Sequence, residues 1–172
     1  MKTKKITLAA LFIAIGVIAG NVIFIPIGAS KCFPVQHTIN VLTAVVLGPG
    51  YGVGVAFGIS LLRNIIGTGT LLAFPGSMVG AFLAGILYKK TNKTILAVIG
   101  EVFGTGILGG LLSYPIAKFI IGNDVAVLFF VPPFLVSTIG GSIISYAIIK
   151  VLDFSKITYA KKQRLCKLNM KK

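Results

Sequence analysis

The chain has 172 residues, of which 56% are hydrophobic and only 12% charged. A water-soluble domain of this length needs far more charge to cover its surface, so the composition points to an integral membrane protein. The net charge of +14 could serve nucleic acid, but the basic residues flank apolar runs, which makes anionic lipid headgroups the simpler partner and argues for no nucleic acid.

In chain order, Lys2, Lys4 and Lys5 precede an apolar run from Ile6 to Ile27. A span takes about 20 apolar residues, so this run predicts a first transmembrane helix. It is longer than the apolar core of a signal peptide and ends without a small-x-small cleavage site, so a retained helix is expected. Gly28 to His37 is polar, and unusually rich in functional side chains for a mere connection. Thr38 to Leu47 and Val53 to Ile66 are two short apolar runs around the turn-forming Gly48-Pro-Gly-Tyr-Gly52. Four crossings would satisfy the charges if 38–66 were one long or re-entrant element. Gly-Pro-Gly at its centre does not continue a helix comfortably, which favours six. Gly67 to Thr70 is a further turn, and Leu71 to Tyr88 a fourth span. Lys89, Lys90 and Lys93 mark a loop. Thr94 to Ile121 is a long fifth span broken in character by its glycines and Pro115, and Gly122 to Asp124 is an outer turn. Val125 to Ile149 is the sixth span, with Pro132 and Pro133 near its outer end.

Most of the 17 basic residues lie in three clusters: at the start, at Lys89–Lys93 and from Lys150 onward. An even number of crossings between clusters puts all three on one face, and the positive-inside rule makes that face cytoplasmic. The expected fold is an all-α integral membrane protein: six transmembrane helices in a compact bundle, N-in and C-in, multi-pass in the cell membrane. Residues 1–152 form the solute-binding domain and 153–172 a basic cytoplasmic tail. Cys32 and Cys166 then lie on opposite sides of the bilayer, which excludes an intramolecular disulfide, and two thiols are too few for a metal cluster.

Small residues recur at four-residue spacing, among them Ala10 and Ala14, Gly16 and Gly20, Gly76 and Gly80, and Gly100 and Gly104. In lipid, close backbone approach over such residues drives helix packing. Compact internal packing explains most of these pairs. A docking face for another membrane protein is the alternative, for which Ala10 and Ala14 are the best candidates.

The polar residues of the apolar runs could carry chemistry. Glu101 sits in the fifth run and Arg63 in the third, with Asn64 beside it. A charge near mid-membrane costs roughly 2.5–3.5 kcal/mol, so it faces protein, water or a partner. Arg63 and Glu101 could form a structural ion pair, could snorkel, or could line a solute site. Gln36, His37 and Asn40 open the second helix, where helical spacing puts Gln36 or His37 on one face with Asn40. Such donors and acceptors suit a neutral heteroaromatic solute, with Phe33, Phe74 or Tyr114 to stack on. A lone histidine makes no metal site. No paired carboxylates or triad point to catalysis, so no enzyme is expected. No P-loop occurs, so ATP is not bound by that motif here.

These features resemble the substrate-binding S components of energy-coupling factor (ECF) transporters. Ala10-Leu-Phe-Ile-Ala14 resembles their A-x-x-x-A docking motif; the third alanine of its extended form is Ile18 here. Two longer stretches resemble the thiazole-type ThiW S components: Lys31-Cys-Phe-Pro-Val-Gln-His-Thr-Ile-Asn40 and Ser60-Leu-Leu-Arg-Asn-Ile-Ile-Gly-Thr-Gly-Thr-Leu-Leu-Ala-Phe-Pro-Gly-Ser77. The resemblance covers about residues 5–152. It implies uptake of the thiamine precursor hydroxyethylthiazole, with a membrane coupling subunit and two ATPase subunits as partners that use ATP. It also implies that the outer loop after helix 1 and helices 4–6 surround the solute, which supports Phe33, Gln36 and His37, and Glu101 and Tyr114 less directly. The substrate-binding candidates are thus Phe33, Gln36, His37, Asn40, Arg63, Asn64, Glu101 and Tyr114, and the docking candidates Ala10 and Ala14. The competing expectations are an S component for another vitamin or precursor, a stand-alone secondary transporter, and, least favoured, a small membrane enzyme using His37 or Glu101. The chain is short and poor in ion-coupling residues for the second.

Overall fold

In the computed structural model, backbone is described for residues 2–27 and 30–169, and side chains for 2–26 and 32–153. The side chains of Lys31, of Cys166 and of the basic tail after Asp153 lie outside the described residues. Six helical rods make up the described fold. They are α1 (Lys2–Val22), α2 (Pro34–Leu47), α3 (Pro49–Ile65), α4 (Ala73–Thr91), α5 (Thr94–Ile121) and α6 (Val131–Asn169). A short antiparallel hairpin, β1 (Ile25–Ile27) with β2 (Ser30–Cys32), joins α1 to α2.

Several boundaries differ from the apolar runs, each for a local reason. The first run does not stay helical to Ile27. It leaves the helix after Val22, and Pro26 with its β-branched neighbours takes the extended backbone of β1. The third helix starts at Pro49 rather than Val53, because proline suits a first helical turn. One residue, Gly48 at φ 96° and ψ 173°, separates α2 from α3 in a conformation reserved for glycine. Thus 38–66 is two helices packed side by side. The sixth helix begins at Val131, later than Val125, again with Pro132 and Pro133 in its first turn. It runs on as backbone to Asn169.

The fifth run is one uninterrupted rod, contrary to its broken composition. Its glycines and Pro115 are absorbed by widening, since Val102–Gly109 and Ala117–Ile121 are π-helical. Wide turns let the rod follow α4 closely. Gly109 lies against Gly76, Gly104 against Gly80, and Gly100 against Leu83 and Ala84. The falling and rising numbers show the two helices to be antiparallel. On α1, Gly16 meets Ile59 and Gly20 meets Arg63, so α1 and α3 run parallel.

Among the described residues, three helices are long and apolar enough to cross a membrane: Lys2–Val22, Thr94–Ile121 and the part of α6 at Val131–Asp153, with mean hydropathies of 2.0, 2.0 and 1.7. At 1.5 Å per residue the 14-residue α2 falls short of a hydrocarbon core of about 30 Å. The burial pattern is inverted relative to a water-soluble domain. Val22 is 75% and Phe119 79% exposed, whereas Asn40, Glu101 and Thr43 are fully buried. Apolar side chains on the outside and polar ones inside are what lipid solvation favours.

Candidate functional site

Beside the glycine-packed pairs, α1 with α3 and α4 with α5, lies a cavity of about 550 Å³ at the hairpin end of the bundle. That size lies within the roughly 300–1,000 Å³ of small-molecule sites. Phe24 and Phe33 contribute from the hairpin and its flanks, Gln36 and His37 from α2, and Arg63 from α3. The Gly67–Thr70 turn, Ser77 of α4 and Thr105 of α5 add polar wall, and Phe130, Phe134 and Ser137 close the remaining side.

Local chemistry holds each wall. Phe33 N–H donates to Ser137 Oγ at 2.8 Å, and Cys32 Sγ–H donates to Pro133 O at 3.2 Å. These two bonds pin the hairpin to the start of α6. The Gly67–Thr70 turn folds back on α3, with the N–H groups of Thr68 and Gly69 donating to Arg63 O at 2.8 and 2.9 Å. Asn64 Nδ2 ties the same turn by donating to Ser60 O and to Thr70 O.

The polar residues are organised around two centres. At the first, Glu101 Oε1 accepts from His37 Nδ1, Asn40 Nδ2 and Thr105 Oγ1, each at 3.0 Å. An oxygen already receiving an amide and a hydroxyl is an acceptor, so Nδ1 carries the proton of the imidazole contact. That leaves Nε2 as the other polar atom of a ring that lines the cavity. Glu101 is fully buried behind His37 and does not itself line the space.

Arg63 is the second centre. Nη1 donates to Gln36 Oε1 at 2.8 Å, Nη2 to Thr68 O at 3.1 Å and Nε to Asn21 Oδ1 at 3.4 Å. Its guanidinium lies 3.9 Å from the centroid of the Phe33 ring. Such a cation–π contact is favoured over a desolvated aromatic face. Gln36 Nε2 donates to Ser60 Oγ, which shares a hydrogen bond with Ser77 Oγ.

Of the eight substrate-binding candidates, Phe33, Gln36, His37 and Arg63 line the cavity. Asn40 and Glu101 stand behind that wall, and Asn64 braces the turn. Tyr114 is not among the lining residues; its hydroxyl accepts from Lys118 Nζ at 3.3 Å. Phe74 packs on Phe57 instead. The Arg63–Glu101 ion pair considered from the sequence does not form, because Glu101 pairs with His37. Ala10 and Ala14 are exposed on α1, while Gly16 and Gly20 face inward.

Ser77, Thr105, Ser137 and Asn21 were not singled out by sequence reasoning. The available signal was a hydroxyl or amide within an apolar helix, which is common and points to no particular partner until the helices are assembled. Phe130 and Phe134 carried a weak signal of their own, two aromatics one helical turn apart.

A family model described as thiamine-precursor transporter protein (ThiW) matches residues 6–155. No curated protein matches the chain. Among solved structures, one described as "Structure and mechanism of the S component of a bacterial ECF transporter" aligns with a TM-score of 0.70. It covers 94% of this chain and 99% of that one at 17% identity, a likeness of fold.

Proposed function

The chain belongs to the ThiW family of thiamine-precursor transporter proteins, and from that membership we propose that it is the solute-binding membrane subunit of an ATP-driven uptake system for hydroxyethylthiazole. It is a transporter protein of the cell membrane, not an enzyme. In this reading all six helices lie across the bilayer, α2 without filling its full thickness, both termini are cytoplasmic, and the cavity opens to the outside.

The observation that carries the reading is a cavity lined by aromatic and hydrogen-bonding side chains inside an apolar-skinned bundle. A thiazole ring is flat and polarisable, which suits stacking among Phe33, Phe130 and Phe134. Its ring nitrogen and hydroxyl suit a few fixed partners, with His37 Nε2 and the hydroxyls of Ser77, Thr105 and Ser137 within the wall. Asn40 and Glu101 hold His37 in place. The likeness to an S component supports partners that supply the energy: a membrane coupling subunit, docking on the Ala10 and Ala14 face, and two ATPases that use ATP. Arg63 and Glu101 are both engaged in fixed contacts, which leaves little machinery for ion coupling by this chain alone.

Calorimetric titration of the purified chain in detergent tests the substrate, with thiamine and its pyrimidine half as controls. Selective binding of hydroxyethylthiazole is the expected result. Binding of neither it nor any related thiazole would remove the substrate reading.

A further inference from the structure

We infer that, within the thiazole class, the cavity prefers a form bearing a negative charge, a carboxylate or phosphate ester attached to the heterocycle, over the neutral alcohol, with Arg63 as the residue that receives it. The inference rests on the reading of this cavity as the solute site.

Arg63 is 2% exposed and heads the fully buried side chains by size, yet among the described residues every hydrogen bond it makes is to an uncharged group. The chain has three carboxylate side chains. Glu101 is occupied by His37, Asn40 and Thr105, while Asp124 and Asp153 are exposed. Among the described residues, no carboxylate therefore pairs with Arg63. Glu101 connects to it only through neutral hydrogen bonds of Asn40, Ser77, Ser60 and Gln36.

A buried charge without a counter-charge is destabilising unless something else neutralises it. The carbonyls at the end of α3 offset part of that cost, since a helix C-terminus favours a cation, but they supply no full charge. Were Arg63 only a brace between Gln36, Asn21 and Thr68, a neutral amide would serve without burying a charge. The guanidinium has five N–H donors, and its three protein bonds leave one on Nη1 and one on Nη2. Two terminal N–H groups held in one plane form the fork that carboxylates and phosphates accept in bidentate fashion. Phe33 on its face and the three hydrogen bonds keep that plane from turning. The cavity also has more room than the bare thiazole alcohol fills.

The test titrates the full chain in detergent with hydroxyethylthiazole, its phosphate monoester, the analogue whose side chain ends in a carboxylate, and inorganic phosphate. At least one anionic thiazole should bind about tenfold or more tightly than the neutral alcohol. R63Q should shrink that ratio to below about threefold, and R63K should keep part of it for the phosphate as a point charge. The comparison on the unaltered chain decides even if R63Q fails to fold. Equal or tighter binding of the neutral alcohol would overturn this inference alone. Inorganic phosphate binding as tightly as the ester would overturn it too, since the anion would then be recognised apart from the ring. Binding of no thiazole would remove the functional reading and this inference with it.

Discussion

Replacing Glu101 separates its two contributions, as an acceptor for His37 and as a buried carboxylate. Of the three donors to Oε1, Asn40 Nδ2 retains Ser77 O at 3.3 Å and Thr105 Oγ1 retains Gly76 O at 3.0 Å. Among the described residues, His37 Nδ1 alone of the three has no second acceptor. Glu101→Leu therefore leaves one buried donor unpartnered and frees the imidazole to turn, a loss of about 1–3 kcal/mol. If that loss falls on solute recognition through Nε2, affinity drops by about 5- to 150-fold. The fold itself is spared, because the same substitution removes a buried carboxylate whose Oε2 has no partner among the described residues. Glu101→Gln keeps an acceptor oxygen and should lose less affinity than the Leu variant. Titration calorimetry with hydroxyethylthiazole reads the affinities, and thermal unfolding in the same detergent reads the fold. Unchanged affinity in Glu101→Leu would refute the positioning of His37, and an equal loss in both variants would assign the effect to charge instead of the hydrogen bond.

Ala10→Trp and Ala14→Trp enlarge side chains that point away from the bundle, so solute binding in detergent should persist while uptake by cells is abolished. Loss of binding in either variant would show that this face serves the bundle and not a partner. Burial pushes the Cys32 thiol above its ordinary pKa, and its Sγ–H is donated to Pro133 O. In a Cys166→Ser background, maleimide should leave Cys32 unmodified near neutral pH until the protein is unfolded, because only the thiolate reacts. Rapid labelling of the folded protein would mean that the hairpin opens away from α6.

Apolar length and Gly-Pro punctuation were readable because each acts through local solvation or backbone geometry. The break at Gly48 follows from residues 48 and 49 alone. Helical spacing puts Gln36 or His37 on one face of α2 with Asn40, and in the structure α2 is buried on every side from Gln36 to Ala44. The end of α1 was not readable, since Ile23 to Ile27 is apolar enough for a helix or a strand. Nor was the course of α5, whose glycines read as breaks until α4 fills the space beside them. Tyr114 shows the same limit. Lys118 lies one turn further along the same helix, a neighbour that spacing alone gives, and only the rotation of α5 decides that Tyr114 stays off the cavity wall.

By itself the sequence determined a lipid-facing exterior, a helical repertoire and an interior stocked with rare polar groups, because these depend on transfer between water and hydrocarbon, residue by residue. Which polar groups meet was decided by the tertiary structure alone. Glu101 could have paired with Arg63, and it pairs with His37. The choice depends on the relative rotation and depth of α2, α3 and α5, set by glycine contacts spread over the bundle. Hydrogen bonds reach only about 3 Å. A small turn of one helix therefore changes every partner, while the pattern of apolar residues that drives insertion stays the same.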